Sequence, residues 1–248
     1  MSVLGVIPAR WASSRFPGKP MALIQGRPMI QHVWERASGA RALDEILVAT
    51  DDQRIADFCD DNSMAVMLTG SDHVTGTDRL AEVAERQAAN FYINVQGDEP
   101  LIDPQAIDDV TECLLGAGAR GIEVATGYIE GASEEQLGSP SVVHLVPTLD
   151  GCVITFSRSP VPHSFVEPAA HTVHVGMYGF SGGALSRFAK YERGPVERAE
   201  SIELMRFLEH GERIAAIPIP PGSIGVDWPA DIGRVEAVLS GGLAEEGA

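Results

Sequence analysis

The sequence predicts an α/β protein built on a doubly wound, mainly parallel sheet, with antiparallel strands in its second half. Three observations predict it. Short apolar runs alternate with helix-like stretches at a pitch that fits strand–helix–strand crossovers. The first run, Val3-Leu4-Gly5-Val6-Ile7, is apolar throughout and ends at Pro8, as suits a strand buried on both faces. Beyond residue 141 the alternation gives way to two apolar runs flanking Thr148-Leu149-Asp150-Gly151, a hairpin signal.

The elements follow in order. A polar loop with Pro and Gly covers 9–19 after the first strand. Gln25-Gly26-Arg27 makes a turn, and Pro28 opens a helix to Ala37 with Met29, Val33 and Ala37 on one face. Strands at 45–49, 65–68 and 92–96 then alternate with helices at 52–60, 77–87 and 104–115. Strands at 141–147 and 152–157 flank the hairpin turn, and a further strand covers 174–180. Helices at 183–191 and 195–209, and a last one from 229, complete a single domain over 1–240, with 241–248 as a frayed tail.

Composition narrows the function classes. The chain has 248 residues, 44% of them hydrophobic, which is enough for one large core. No apolar run approaches the roughly 18–20 residues of a membrane span, so no membrane partner is expected. The start lacks a basic segment ahead of its apolar run, so no secretion signal is expected and the cytoplasm is the expected compartment. A formal net charge of −17 argues against a nucleic-acid polymer as partner, yet a nucleotide needs only a local cluster of cations. Cys59, Cys113 and Cys152 lie far apart in sequence without metal or redox spacing, and are expected as reduced, buried thiols.

Open α/β sheets bind ligands outside the carboxyl ends of their strands, which selects the loops to read closely: 9–19, 50–52, 69–79 and 96–100. The first carries Arg10, Arg15 and Lys19 within ten residues, a cation set able to grip a triphosphate. Neither a Walker A nor a Gly-x-Gly-x-x-Gly pattern is present, so on spacing alone a solvated basic loop is the alternative. The strand at 92–96 ends in Gly97-Asp98-Glu99-Pro100, which presents a carboxylate suited to Mg²⁺ or one that simply starts a turn. Asp227, in Gly225-Val226-Asp227-Trp228-Pro229, reads on its own as the cap of the last helix, with a second carboxylate as the alternative.

Taken together these pieces carry a resemblance. Pro8-Ala9-Arg10…Ser13-Ser14-Arg15-Phe16-Pro17-Gly18-Lys19-Pro20, Val48-Ala49-Thr50-Asp51, Thr75-Gly76-Thr77-Asp78-Arg79, Asn94-Val95-Gln96-Gly97-Asp98-Glu99-Pro100, Phe156-Ser157-Arg158, His174-Val175-Gly176-Met177-Tyr178-Gly179-Phe180 and Gly225-Val226-Asp227 occur in one order over nearly the whole chain. The set resembles the 3-deoxy-manno-octulosonate cytidylyltransferase (CMP-KDO synthetase) family. That resemblance implies a Rossmann-like nucleotide-diphospho-sugar transferase fold, with a CTP-binding half over 1–130 and an acceptor-binding, dimerising half over 131–228. It implies a CTP-dependent cytidylyltransferase that releases pyrophosphate, with Mg²⁺ as cofactor and a homodimer as the assembly. Carried over by position, Arg10, Arg15 and Lys19 hold the phosphates, while Pro8, Ala9, Thr75, Arg79 and Gln96 bind the nucleotide. Asp98 and Asp227 hold the metal, and Gln96, Arg158, His174, Tyr178 and Glu203 face the acid acceptor. Catalysis falls to Arg10, Lys19, Asp98 and Asp227.

Two departures lie on the acceptor side. Leu204 stands where the family carries a glutamine after the glutamate, and the 159–172 segment is short and lacks a Trp-Asp-Arg-Asp run. The acceptor therefore stays open between a KDO-type sugar acid and a smaller acid such as phosphonoformate. A CMP-sialate-type synthetase and a catalytically silent nucleotide-binding regulator are the alternatives.

Overall fold

A computed structural model describes residues 1–13 and 15–241; the expected tail lies, Gly241 apart, outside them. In chain order the elements are β1 (Val3–Ala9), β2 (Leu23–Ile24), β3 (Arg27–Pro28), α1 (Met29–Ala37), β4 (Glu45–Thr50), α2 (Gln53–Asp61), β5 (Val66–Leu68), α3 (Gly76–Arg86), β6 (Phe91–Val95) and α4 (Pro104–Ala117). The second half adds β7 (Val124–Glu130), α5 (Glu134–Gly138), β8 (His144–Pro147), β9 (Val153–Ser157), β10 (Thr172–Ser181), α6 (Gly182–Phe188), α7 (Pro195–Glu200), α8 (Met205–Glu209), β11 (Ala215–Pro218) and α9 (Asp231–Leu239).

The main sheet runs β11-β7-β10-β6-β1-β4-β5. Every pairing along it is parallel except those of β10, which runs antiparallel to β6 and β7. The expected doubly wound α/β sheet with an antiparallel second half is therefore present, the hairpin β8–β9 branching off β10. The chain leaves β1 toward β4 on one side and returns to β6 on the other, so the strand order reverses between β1 and β6. A crevice opens at their carboxyl ends, the place such sheets bind ligands.

The core has two apolar layers, one on each face of the sheet, and a smaller cluster of Ile24, Met29, Leu101, Val226 and Val235. Ile7, Val48, Ile93 and Val95 pack against α1 and α4 on one side; Val6, Tyr92 and Phe180 pack against α3, α6 and α8 on the other. The alternation of Tyr92, Ile93, Asn94 and Val95 between the two layers follows from the period-two geometry of a strand. Among the described residues no helix is long and apolar enough to cross a membrane.

Three expectations needed correction. Strands β7 and β11 complete the sheet but do not stand out in the sequence, for Gly127 interrupts the first and the second has four residues. The helix expected over 195–209 is two helices, broken where Ser201 adopts the left-handed conformation at φ 54°. The last helix starts at Asp231, with Ala230 at the N-cap position and no side-chain cap, so Asp227 is not its cap and keeps its carboxylate for other partners.

Candidate active site

The cleft at the carboxyl ends of β1 and β6 encloses about 200 Å³. Its walls carry Pro8, Ala9, Arg10, Arg15 and Lys19 from the first loop, Thr75 and Arg79 from α3, Gln96 and Asp98 from the end of β6, and Glu203. Ten of the fourteen residues singled out from the sequence thus meet in one place. Gly97 lets the two strand ends close up: a Cβ there would lie 2.7 Å from the Pro8 carbonyl oxygen.

The first loop is shaped by its own glycine. Gly18 is left-handed at φ 72°, and its N–H donates to the Trp11 carbonyl at 2.9 Å, which folds the loop back on itself. The Arg54 guanidinium stacks over the Trp11 ring at 3.3 Å and holds the loop from outside. This turn delivers Lys19, whose ammonium donates to Asp98 Oδ2 at 2.6 Å and to the Val226 carbonyl at 2.8 Å. Asp227 Oδ1 lies 3.8 Å from the same ammonium and accepts from Arg15 at 2.9 Å. The Val226 N–H donates to the Asp98 carbonyl at 2.9 Å, a backbone tie that brings the two carboxylates to one point although 129 positions separate them.

That point already holds one cation, the Lys19 ammonium, between two carboxylates and a carbonyl. No group of three or more acidic, histidine or cysteine side chains with metal-holding geometry occurs among the described residues. The donor set is therefore two hard carboxylates, with the rest of any shell left to phosphate oxygens and water, which is how Mg²⁺ is commonly held. The residues fit that ion. Next to them Glu99 is half-buried and hydrogen-bonded to the Ser223 hydroxyl. Burial, and then the Asp98 charge, push its carboxyl up to about 7.

On the wall expected to bind the nucleotide, α3 begins with a capping box in which Thr75 and Asp78 satisfy each other's backbone and side chain. Arg79 is buried and pairs with Asp51 at 3.1 Å and with the Thr69 hydroxyl. The same wall includes His73, which the sequence reading did not assign although it lies in the selected 69–79 loop. Its ring meets Glu82 at 2.6 Å. Burial alone would raise the Glu82 carboxyl, but hydrogen bonds from His73, Gly70 and Arg86 outweigh it and hold it at about 2. Ser201 also lines the cleft, and nothing in its sequence marks it.

The acceptor-side residues separate. Gln96 and Glu203 face the cleft; Tyr178 lies buried beside them, its phenol pushed up by burial and then by the Glu203 charge. His174 and Arg158 do not line it. His174 stacks on Tyr178 at 5.5 Å, and burial lowers its imidazole to about 3. Thr126 Oγ1 donates to the Met177 carbonyl at 2.9 Å, so at 2.8 Å it accepts from His174 Nε2–H, which sets that tautomer. The Arg158 guanidinium is spent on backbone carbonyls, Glu200 at 2.6 Å, Pro140 at 3.0 Å and Ser141 at 3.1 Å. Leu204 is fully buried in the layer that holds Phe180 and Phe207, so it packs and does not face the cleft.

The cytidylyltransferase family profile matches residues 4–214. The chain belongs to the cytidylyltransferase family. The 3-deoxy-manno-octulosonate cytidylyltransferase of Syntrophotalea carbinolica is 43% identical, covering 97% of this chain and 100% of its own. The enzyme of the same name from Geobacter sulfurreducens is 42% identical over 95% of this chain and 98% of its own. A solved CMP:2-keto-3-deoxy-manno-octonic acid synthetase, complexed with CTP, superposes with a TM-score of 0.90 at 37% identity, covering 98% of this chain and all of that one. A cytidylyltransferase from Leptospira borgpetersenii shares the fold at a TM-score of 0.61 and 15% identity. This cytidylyltransferase is accordingly a CTP-dependent nucleotidyltransferase, and the candidate cleft lies where the switch-point rule expects a ligand.

Proposed function

We propose that the chain transfers CMP from CTP to a KDO-type 3-deoxy sugar acid, with Mg²⁺ as cofactor and release of pyrophosphate. The observation that carries this reading is the meeting of three cations, Arg10, Arg15 and Lys19, with two carboxylates, Asp98 and Asp227, at the mouth of one cleft. The acceptor named for its relatives supports the choice of acid. The buried position of Leu204 does too, since the substitution there removes no group from the cleft wall.

In this reading an acceptor hydroxyl oxygen bonds to the α-phosphorus and loses its proton to water, while the bond from that phosphorus to the β-phosphate bridging oxygen breaks. Pyrophosphate carries the electron pair away. Positioning and charge neutralisation do most of the work in such transfers. Arg10, Arg15 and Lys19 take up phosphate charge, and Lys19 and Arg10 stabilise the leaving group. Pro8, Ala9, Thr75 and Arg79 enclose the nucleoside. Asp98 and Asp227 would hold Mg²⁺, which supplies charge neutralisation and makes the attacking hydroxyl more acidic. Gln96, Glu203 and Tyr178 form the acceptor side of the cleft; Arg158 and His174 support it from behind.

The same proposal extends to a homodimer formed through the second half, where Leu149, Ile154, Phe165 and Val166 are exposed. Pyrophosphate release tests the activity, measured with CTP, UTP, ATP and GTP against KDO, phosphonoformate and a sialic acid. Release with CTP and KDO alone is the expected result. Release only with phosphonoformate would replace the acceptor and keep the nucleotide site; CTP binding without any turnover would favour the silent regulator.

A further inference from the structure

We propose that Glu203 is a positioning residue for the nucleotide: with Arg206 it fixes the first turn of α3, so that the second half of the chain sets the shape of the nucleotide pocket. The inference rests on the reading of the cleft as a CTP site and assigns Glu203 a task beyond facing the acceptor.

A helix begins with N–H groups that have no partner within it. In α3 the Asp78 N–H is taken by Thr75 Oγ1 at 3.1 Å, but the Gly76 and Thr77 N–H groups both donate to Glu203, at 3.2 and 2.8 Å. The Thr77 hydroxyl adds a third bond at 2.5 Å to the same carboxylate. A carboxylate at a helix N-terminus also gains from the local dipole. Glu203 reaches this position because the chain breaks at Ser201, and its neighbours Ile202 and Leu204 anchor the connection in the core on either side.

Three residues on, Arg206 repeats the contact. Its guanidinium donates to Asp78 Oδ1 at 2.9 Å, while Asp78 Oδ2 accepts from the Thr75 N–H at 3.0 Å. Arg206 has little freedom of its own: Glu197 takes two of its donors at 2.8 and 2.7 Å, and the Phe188 ring lies 3.7 Å beneath it. Gly76, Thr77 and Asp78 are thus held from one segment more than 120 positions away, and Thr75 through Asp78. Thr75, Gly76 and Arg79 line the cleft, and so does Glu203 itself. A Cβ placed on Gly76 would lie 3.7 Å from Glu203 Oε1 and 3.8 Å from Gln96 Nε2, so the nucleotide wall and the acceptor wall share this one carboxylate.

The test is CTP affinity without acceptor, measured by calorimetry on wild type, Glu203→Ala and Thr77→Val, together with hydrogen exchange of the α3 amides. Losing charge-assisted bonds of this kind should weaken CTP binding about tenfold in Glu203→Ala. Thr77→Val, which removes only the hydroxyl bond, should weaken it less. Exchange should quicken at Gly76 and Thr77 and not elsewhere in the sheet. Turnover at saturating CTP and acceptor should fall less than the affinity does. CTP affinity within twofold of wild type, with only the acceptor KM raised, would overturn the proposal. So would a lowered Tm with unchanged CTP affinity in the folded variant. If Glu203→Ala does not fold, Thr77→Val decides. If wild type fails to bind CTP, the proposed activity falls, and unchanged exchange at Gly76 and Thr77 would then refute the clamp separately.

Discussion

The Lys19 ammonium lies 2.6 Å from Asp98 Oδ2, inside a shell that Asp227 completes at 3.8 Å. The cationic first loop and the two carboxylates therefore neutralise each other, and in the proposed reaction a triphosphate with its counter-ion replaces this pairing. Asp98→Asn should cut pyrophosphate release by about 10²-fold or more, since it removes charge from a preorganised site. The pair is partly exposed, so its loss should change stability by no more than about 1 kcal/mol. Removing divalent cations with EDTA should abolish release and added Mg²⁺ should restore it. Release that survives both treatments would reject the metal assignment.

Gly97→Ala should damage the site through the backbone. The new methyl would lie 2.7 Å from the Pro8 carbonyl oxygen, and neither strand end can move freely because β1 and β6 are central in the sheet. Overpacking of this kind costs roughly 1–3 kcal/mol. The expected outcome is a lowered Tm together with a raised KM for CTP, because Pro8 and Ala9 line the nucleotide wall. An unchanged KM would mean that the wall tolerates the shift.

The parts of the fold that were legible in the sequence are those with local causes. Val3–Ile7 reads as a strand because it is apolar throughout, and Gln25-Gly26 reads as a turn because both residues take positive φ, at 48° and 78°. The cation cluster at the cleft was legible for the same reason, since Arg10, Arg15 and Lys19 follow directly on the first strand. What escaped depends on distant contacts. Gly127 breaks the pattern of β7 because Ile219 packs over it, where a Cβ would meet its Cδ1 at 2.9 Å. Ser201 breaks the 195–209 helix with no residue-type signal. Asp227 could not be told from a cap until Asp231 was seen to accept from the Asp227 and Trp228 N–H groups, at 2.9 and 2.8 Å.

Leu204→Gln, which restores the residue type of the resembled family, should destabilise the protein without helping the acceptor. The Leu204 side chain is fully buried among Phe180, Phe207 and Met205. An amide placed there without a partner costs roughly 1–3 kcal/mol. Thermal denaturation should show the loss, with kcat/KM for the sugar acid no higher than in wild type. An unchanged Tm with a raised kcat/KM would show that the amide reaches the cleft, and would reopen the case for a smaller acceptor in the wild type.

His174 gives the stability of this enzyme a pH dependence with a definite sign. Burial lowers its imidazole from 6.5 to about 3, so between those values the unfolded chain binds a proton that the folded chain does not. Stability is then fully present above 6.5 and is lost as pH falls toward 3. The ring stays neutral at working pH and donates through Nε2–H to Thr126, so it orients Tyr178 by stacking rather than supplying charge to an acid acceptor. His174→Gln keeps a donor for Thr126 but cannot titrate. The Tm advantage of wild type over this variant should shrink as pH drops from 6.5 to 4. A constant difference across that range would show that His174 is not the group responsible.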